Sequence, residues 1–187
     1  MRIAILGYSG SGKSTLAKAL GRYYGCPVLH LDCLHFRENW QERPDQEALQ
    51  ILKPYMRNSH WVIDGNYRSL AQEKRLELAD HIIILALPRF LRLRRAWNRY
   101  RQHRGQVRDS VAPGCLEKFD LPFAWWILHK GCRKAVRLHY NAIQARYPEK
   151  TTFCTTPEAL DRILREGLPS CEYAESGGTL SSRQTHE

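Results

Sequence analysis

No CxxC pair occurs in this chain: its six cysteines, at 26, 33, 115, 132, 154 and 171, are scattered. Neither a zinc site nor a redox pair therefore has its usual spacing, and reduced thiols are expected. No apolar run approaches the roughly 20 residues that a membrane span needs, so a membrane partner is not expected. The opening RIAIL is too short for the apolar region of a signal peptide, which points to a cytoplasmic, unprocessed chain. Internal repeats are missing, and low complexity is confined to 170–187, a polar stretch with Ser176, Gly177 and Gly178 that reads as a disordered tail. Acidic residues are in deficit, 19 against 29 lysines and arginines, for a formal charge of +10. That balance calls for acidic partners. Nucleotide phosphates and nucleic acid both qualify, but no DNA-reading motif is present, so nucleic acid is possible and not favoured.

What is present is an alternation of short apolar runs with longer amphipathic ones over 187 residues, a length that suits one domain. That alternation predicts an α/β fold, a parallel sheet covered by helices. Strands are expected at 2–6, 27–31, 60–64, 81–87 and 150–154. Helices are expected at 13–24, 45–58, 69–78, 89–103, 121–147 and 157–166. Pro54 interrupts the second of these helices and predicts two short ones in its place. The long irregular stretch 103–120 has the character of an active-site lid.

The run GYSGSGKS, Gly7 to Ser14, satisfies GxxxxGK[ST] between an apolar strand and an amphipathic helix. Glycines at 7, 10 and 12 let the backbone wrap an anion with its N–H groups inward, and the helix N-terminus adds a favourable dipole. Gly7, Tyr8, Ser9, Gly10, Ser11, Gly12, Lys13, Ser14 and Thr15 thus form a candidate site for ATP and Mg²⁺. Lys13 would reach the β and γ phosphates, and the Ser14 hydroxyl would ligate the metal. A strand-end acid follows in HLDCLHF, where Asp32 is a candidate base or acceptor contact. His30 and His35 beside it read as satisfied or exposed. The third strand ends WVID and gives GNYR, so Asp64 is placed to hold magnesium through water.

Eight arginines stand between 89 and 108. On a helical wheel Arg92, Arg95 and Arg99 share one sector, opposite Phe90, Leu93, Trp97 and Tyr100. The expectation is a helix that is basic outward and apolar inward. Lys130, Arg133, Lys134 and Arg137 predict a second basic stripe on one face of a helix.

Four segments, GYSGSGKST, HLDCLHF, VIDGNYR and RDSVAPGC, make residues 1–166 resemble the adenylate-kinase-like P-loop kinases. Within them they resemble the bacterial DNA-topology modulation proteins, often called FlaR-like. The resemblance implies a three-layer α/β/α fold with a five-stranded parallel sheet in order 2-3-1-4-5. It further implies a single domain over 1–169, with an acceptor-binding insertion at 33–59 and a lid at 103–120. The activity implied is transfer of the γ-phosphoryl of ATP to a small acceptor, a nucleotide or nucleoside. The family label also suggests a nucleotide-dependent DNA-binding regulator, and bare NTP hydrolysis is a further alternative. DGNYR matches the adenylate kinases' DGFPR, which carries over to Arg68 a grip on the acceptor phosphate. Arg95 and Arg99, spaced after Pro88 as in those kinases, inherit contacts with donor base and phosphates, and Arg108 is a lid arginine. Tyr67 replaces the DGFPR proline, the lid has only Cys115 of the cysteine set that binds zinc in some adenylate kinases, and 33–59 matches none of their acceptor motifs. A phosphate acceptor would need Arg68 to hold it, and a hydroxyl acceptor would need Asp32 as base. ATP and GTP both fit the motif, and no residue pattern sets an oligomeric state.

Overall fold

The computed structural model describes residues 1–168, so the tail expected at 170–187 lies outside the described residues. Strands β1 (Arg2–Gly7), β2 (Val28–His30), β3 (Trp61–Asp64), β4 (His81–Leu85) and β5 (Thr151–Cys154) pair in parallel in the order β2-β3-β1-β4-β5. Helices α1 (Lys13–Tyr24), α2 (Leu31–His35), α3 (Asp45–Met56), α4 (Gln72–Leu78), α5 (Arg89–His103), α6 (Leu121–Leu128), α7 (Lys134–Arg146) and α8 (Pro157–Glu166) cover both faces. This is the expected three-layer α/β/α arrangement with a parallel sheet in order 2-3-1-4-5.

A parallel sheet buried on both sides demands apolar residues at every position of its central strands, because alternate side chains enter different cores. In β1, Ala4 and Leu6 join Leu52, Met56, Leu76 and Tyr140 in one core, while Ile3 and Ile5 join Leu16, Leu20, Leu160 and Ile163 in the other. Burying each such isoleucine or leucine contributes about 2 kcal/mol. The register aligns Ile5 and His30 with Asp64, and Gly7 with Leu85. The carboxyl ends of four strands therefore meet at one edge, where ligands bind in such sheets.

Three expectations about elements require correction. Strand β2 stops at His30, and Asp32 lies in the first turn of α2 rather than at a strand end. Helix α3 runs unbroken through Pro54, which falls in its last turn, and the backbone carbonyl that proline leaves without a donor belongs to exposed Gln50. The long helix expected over 121–147 is α6, a 3-10 turn at Lys130–Cys132, and α7. Gly131 sits in that break, close to α6: a Cβ there would stand 3.1 Å from the Trp126 ring. The basic stripe from Lys130 to Arg137 is accordingly split across the turn. No disulfide joins the five cysteines among the described residues. None of the described helices is long and apolar enough to cross a membrane.

Candidate active site

The turn between β1 and α1 is held in an unusual backbone shape. Gly10 has φ of 74°, and a Cβ on it would lie 2.5 Å from the Arg92 carbonyl oxygen, so only glycine lets the turn approach α5 this closely. Asn66 clamps the start of the turn, its amide donating to Gly7 O at 2.7 Å while its Oδ1 accepts from Gly7 N at 3.0 Å. Lys13 curls back, its Nζ donating to the carbonyls of Gly7 and Tyr8 at 3.1 Å each. Burial pushes the Lys13 pKa down, against the opposing pull of Asp32 and Asp64. The Ser14 hydroxyl donates to Asp64 Oδ2 at 3.0 Å, and the other oxygen of Asp64 meets His30 Nδ1 at 2.5 Å.

These groups open onto one cleft of about 1490 Å³. Ser9, Gly10, Gly12, Lys13, Ser14 and Thr15 line it, whereas Gly7, Tyr8 and Ser11 do not. Tyr8 turns away to meet Tyr140 edge-on at 5.2 Å, with the Arg92 guanidinium over its ring at 4.5 Å. Ser11 Oγ is buried without a hydrogen-bond partner. An oxygen donor set of Ser14 and Asp64 beside an ammonium, at a helix N-terminus, suits a magnesium-bound polyphosphate.

Helix α5 has the opposite orientation from the one its amphipathic pattern predicts. Arg92 is only 2% exposed, while Phe90 and Trp97, expected inward, are 69% and 43% exposed. The arginine face packs on the glycine turn because that turn supplies backbone carbonyls for it. Arg92 donates to Leu87 O at 2.9 Å and Ser9 O at 3.5 Å, and Arg95 Nη1 donates to Ser11 O at 3.2 Å. Buried guanidiniums with such partners are tolerated where unpaired ones are not. Arg95 and Arg99 line the cleft.

At the acceptor end, Asp32 lines the cleft and accepts a hydrogen bond from Tyr67 Oη at 2.7 Å. The pKa of Tyr67 is pushed up, by burial first and then by the Asp32 charge, so its phenol stays a donor. His35 packs against the Tyr67 ring at 4.3 Å between centroids. The 103–120 segment is docked over this end. Its Val111, Ala112 and Cys115 pack on Phe36 and Trp40, Trp40 Nε1 donates to Leu116 O at 3.1 Å, and Lys18 pairs with Asp109 at 3.0 Å. Arg108 lines the cleft from this segment.

Arg68 is exposed and does not line the cleft. The reason is the fully buried Arg75 of α4, which donates to the carbonyls of Gly65, Tyr67 and Leu70 and wraps the 65–70 turn around itself. Residue 68 is left on the outer side, where its charge, after burial, depresses the His139 pKa. Arg68→Ala is expected to change kcat/KM by less than about threefold in a steady-state assay, as suits an exposed residue away from the reacting groups. Asn66, Arg75 and Glu117 are site or support residues that sequence reasoning did not single out, while His30, read as satisfied or exposed, is satisfied by Asp64. For Asn66 a signal existed, since it follows Asp-Gly at the end of a strand.

No protein-family model matches the chain, and no curated protein matches it. Among solved structures, it is similar to shikimate kinase from Acinetobacter baumannii in complex with shikimate, with a TM-score of 0.50 and 15% identity over 87% of this chain and 88% of that one. It is also similar to a gluconokinase from Sinorhizobium meliloti 1021, with a TM-score of 0.49 and 19% identity over 89% of both chains. At such identities the likeness is one of fold.

Proposed function

We propose that this protein is a magnesium-dependent phosphotransferase that moves the γ-phosphoryl of ATP to a hydroxyl of a small acceptor such as a nucleoside. The observation that carries this reading is that Lys13, the Ser14–Asp64 pair and Asp32 line one cleft from which Arg68 is absent. A carboxylate at the acceptor end suits deprotonation of a hydroxyl, and it would repel an acceptor phosphate. On this reading the chain is one domain, with an acceptor segment at 33–59 and a lid at 103–120. It falls in the adenylate-kinase-like class, and its four motif segments favour the FlaR-like branch.

Asp32 takes the proton of the acceptor hydroxyl as its oxygen forms a bond to the γ phosphorus, the bond from that phosphorus to the β–γ bridging oxygen breaks, and ADP leaves. Lys13 exchanges its two loop carbonyls for phosphate oxygens and follows the phosphoryl group. Arg95, Arg99 and Arg108 face the charge that spreads over the transferring group. Ser14, and Asp64 through water, would hold Mg²⁺, which supplies charge neutralisation for the phosphates. Arg92, Arg95 and Arg99 of α5 are turned inward, while Arg89, Arg94 and Arg101 of the same helix are exposed.

An ATP-consumption screen across nucleosides, nucleoside monophosphates and small hydroxylated metabolites tests the reading. Turnover is expected with a nucleoside or other hydroxyl acceptor. Turnover confined to monophosphates would defeat it.

A further inference from the structure

The docked segment returns to α5 through Glu117, whose side chain is 2% exposed. Its carboxylate accepts a hydrogen bond from Arg99 Nε at 2.7 Å with one oxygen and ion-pairs with Arg108 Nε at 2.5 Å with the other, a contact that leaves the Arg108 Nε–H without a hydrogen bond among the described residues. Both arginines line the cleft and Glu117 does not, so the carboxylate stands behind them. A guanidinium has one Nε edge and a fork of two Nη groups. Here the single carboxylate lies against both Nε edges and is hydrogen-bonded to that of Arg99. Arg108 Nη1 donates to Ser110 Oγ at 3.2 Å, and no hydrogen bond from either Nη of Arg99 is present among the described residues. Two arginines this close also repel. Burial first, and then the charge of Arg108, push the Arg99 pKa down, and Glu117 opposes both.

We propose that Glu117 is a positioning residue, holding Arg99 by a hydrogen bond at its Nε edge and Arg108 by an ion pair from behind, so that their Nη groups meet the γ-phosphate of a bound nucleoside triphosphate. The proposal rests on the phosphotransferase reading of the cleft. It differs from a simple latch, in which the same carboxylate would compete with phosphate for the arginines. The two make opposite forecasts for a variant without the charge. Positioning predicts that triphosphate binding weakens, and competition predicts that it tightens.

The test measures affinities of the full chain for Mg-ADP and for a Mg-bound non-hydrolysable ATP analogue by calorimetry, in wild type, Glu117→Gln and Glu117→Asp. Wild type is expected to prefer the triphosphate. Glu117→Gln is expected to lose about tenfold of that preference, with ADP affinity changed by less than about twofold, since the arginines address only the γ-phosphate. Glu117→Asp keeps the buried charge, and with it the fold, but retreats by one methylene. It is expected to lose an intermediate share, about threefold, and so keeps the test alive if the glutamine variant unfolds. An unchanged or increased preference in either variant overturns the proposal while leaving the phosphotransferase reading standing. Failure of wild type to bind either nucleotide in a Lys13-dependent way would overturn that reading and the proposal with it.

Discussion

Lys13→Ala is expected to lower ATP turnover with any acceptor by at least about a thousandfold, because a preorganised ammonium on the transferring phosphoryl acts in a site partly shielded from water. The fold should survive. In the protein as it stands, the ammonium is held by two backbone carbonyls of the turn, and burial already disfavours its charge. Removing it relieves that cost and exposes the two carbonyls to cleft water. A coupled ADP-release assay reads the first effect, and a thermal melt, expected within a few degrees of wild type, reads the second. Undiminished turnover in a folded variant would remove the phosphate-binding role of the Gly7 to Thr15 turn.

The second large effect belongs to the acceptor. Asp32→Asn keeps the volume of the side chain and an oxygen to accept from Tyr67, whose phenol stays protonated, so the geometry of the acceptor end should persist. What is lost is a group able to take a proton. General-base removal costs on the order of a hundred- to ten-thousandfold, and kcat with a hydroxyl acceptor should fall within that range. A phosphate acceptor needs no base, and its rate should fall far less. Steady-state rates of wild type and variant with the acceptor that the screen finds give the ratio. A loss below about tenfold with a hydroxyl acceptor would exclude Asp32 as the base.

Strand and helix order were legible because period-2 and period-3.6 patterns are written in consecutive residues. The two-faced burial of β1 and β4, and the start of α1 at Lys13, follow from local composition and three glycines. Helix α5 shows where such reasoning ends. Its amphipathic pattern assigns the polar face to water, yet the arginines of α5 find backbone carbonyls on a turn some eighty residues earlier in the chain. That partner is invisible to any local window. Arg68 shows the same limit from the other side. The resemblance of DGNYR to DGFPR assigns it to an acceptor phosphate, and one buried arginine in the next helix leaves it facing outward.

The sequence by itself determined the parallel sheet covered by helices, the glycine turn with Lys13 and Ser14, and the candidacy of Asp64 and Asp32. Each of these depends on short-range spacing: a strand end, a glycine turn, a helix start. Only the tertiary structure decided which charges enter the cleft. It brought Arg95, Arg99 and Arg108 in, kept Arg68 out, joined Asp64 to His30 and Ser14, and set Glu117 behind two arginines. The reason is physical. A buried charge is stable only where hydrogen-bond or charged partners meet it, and in this fold those partners come from distant parts of the chain.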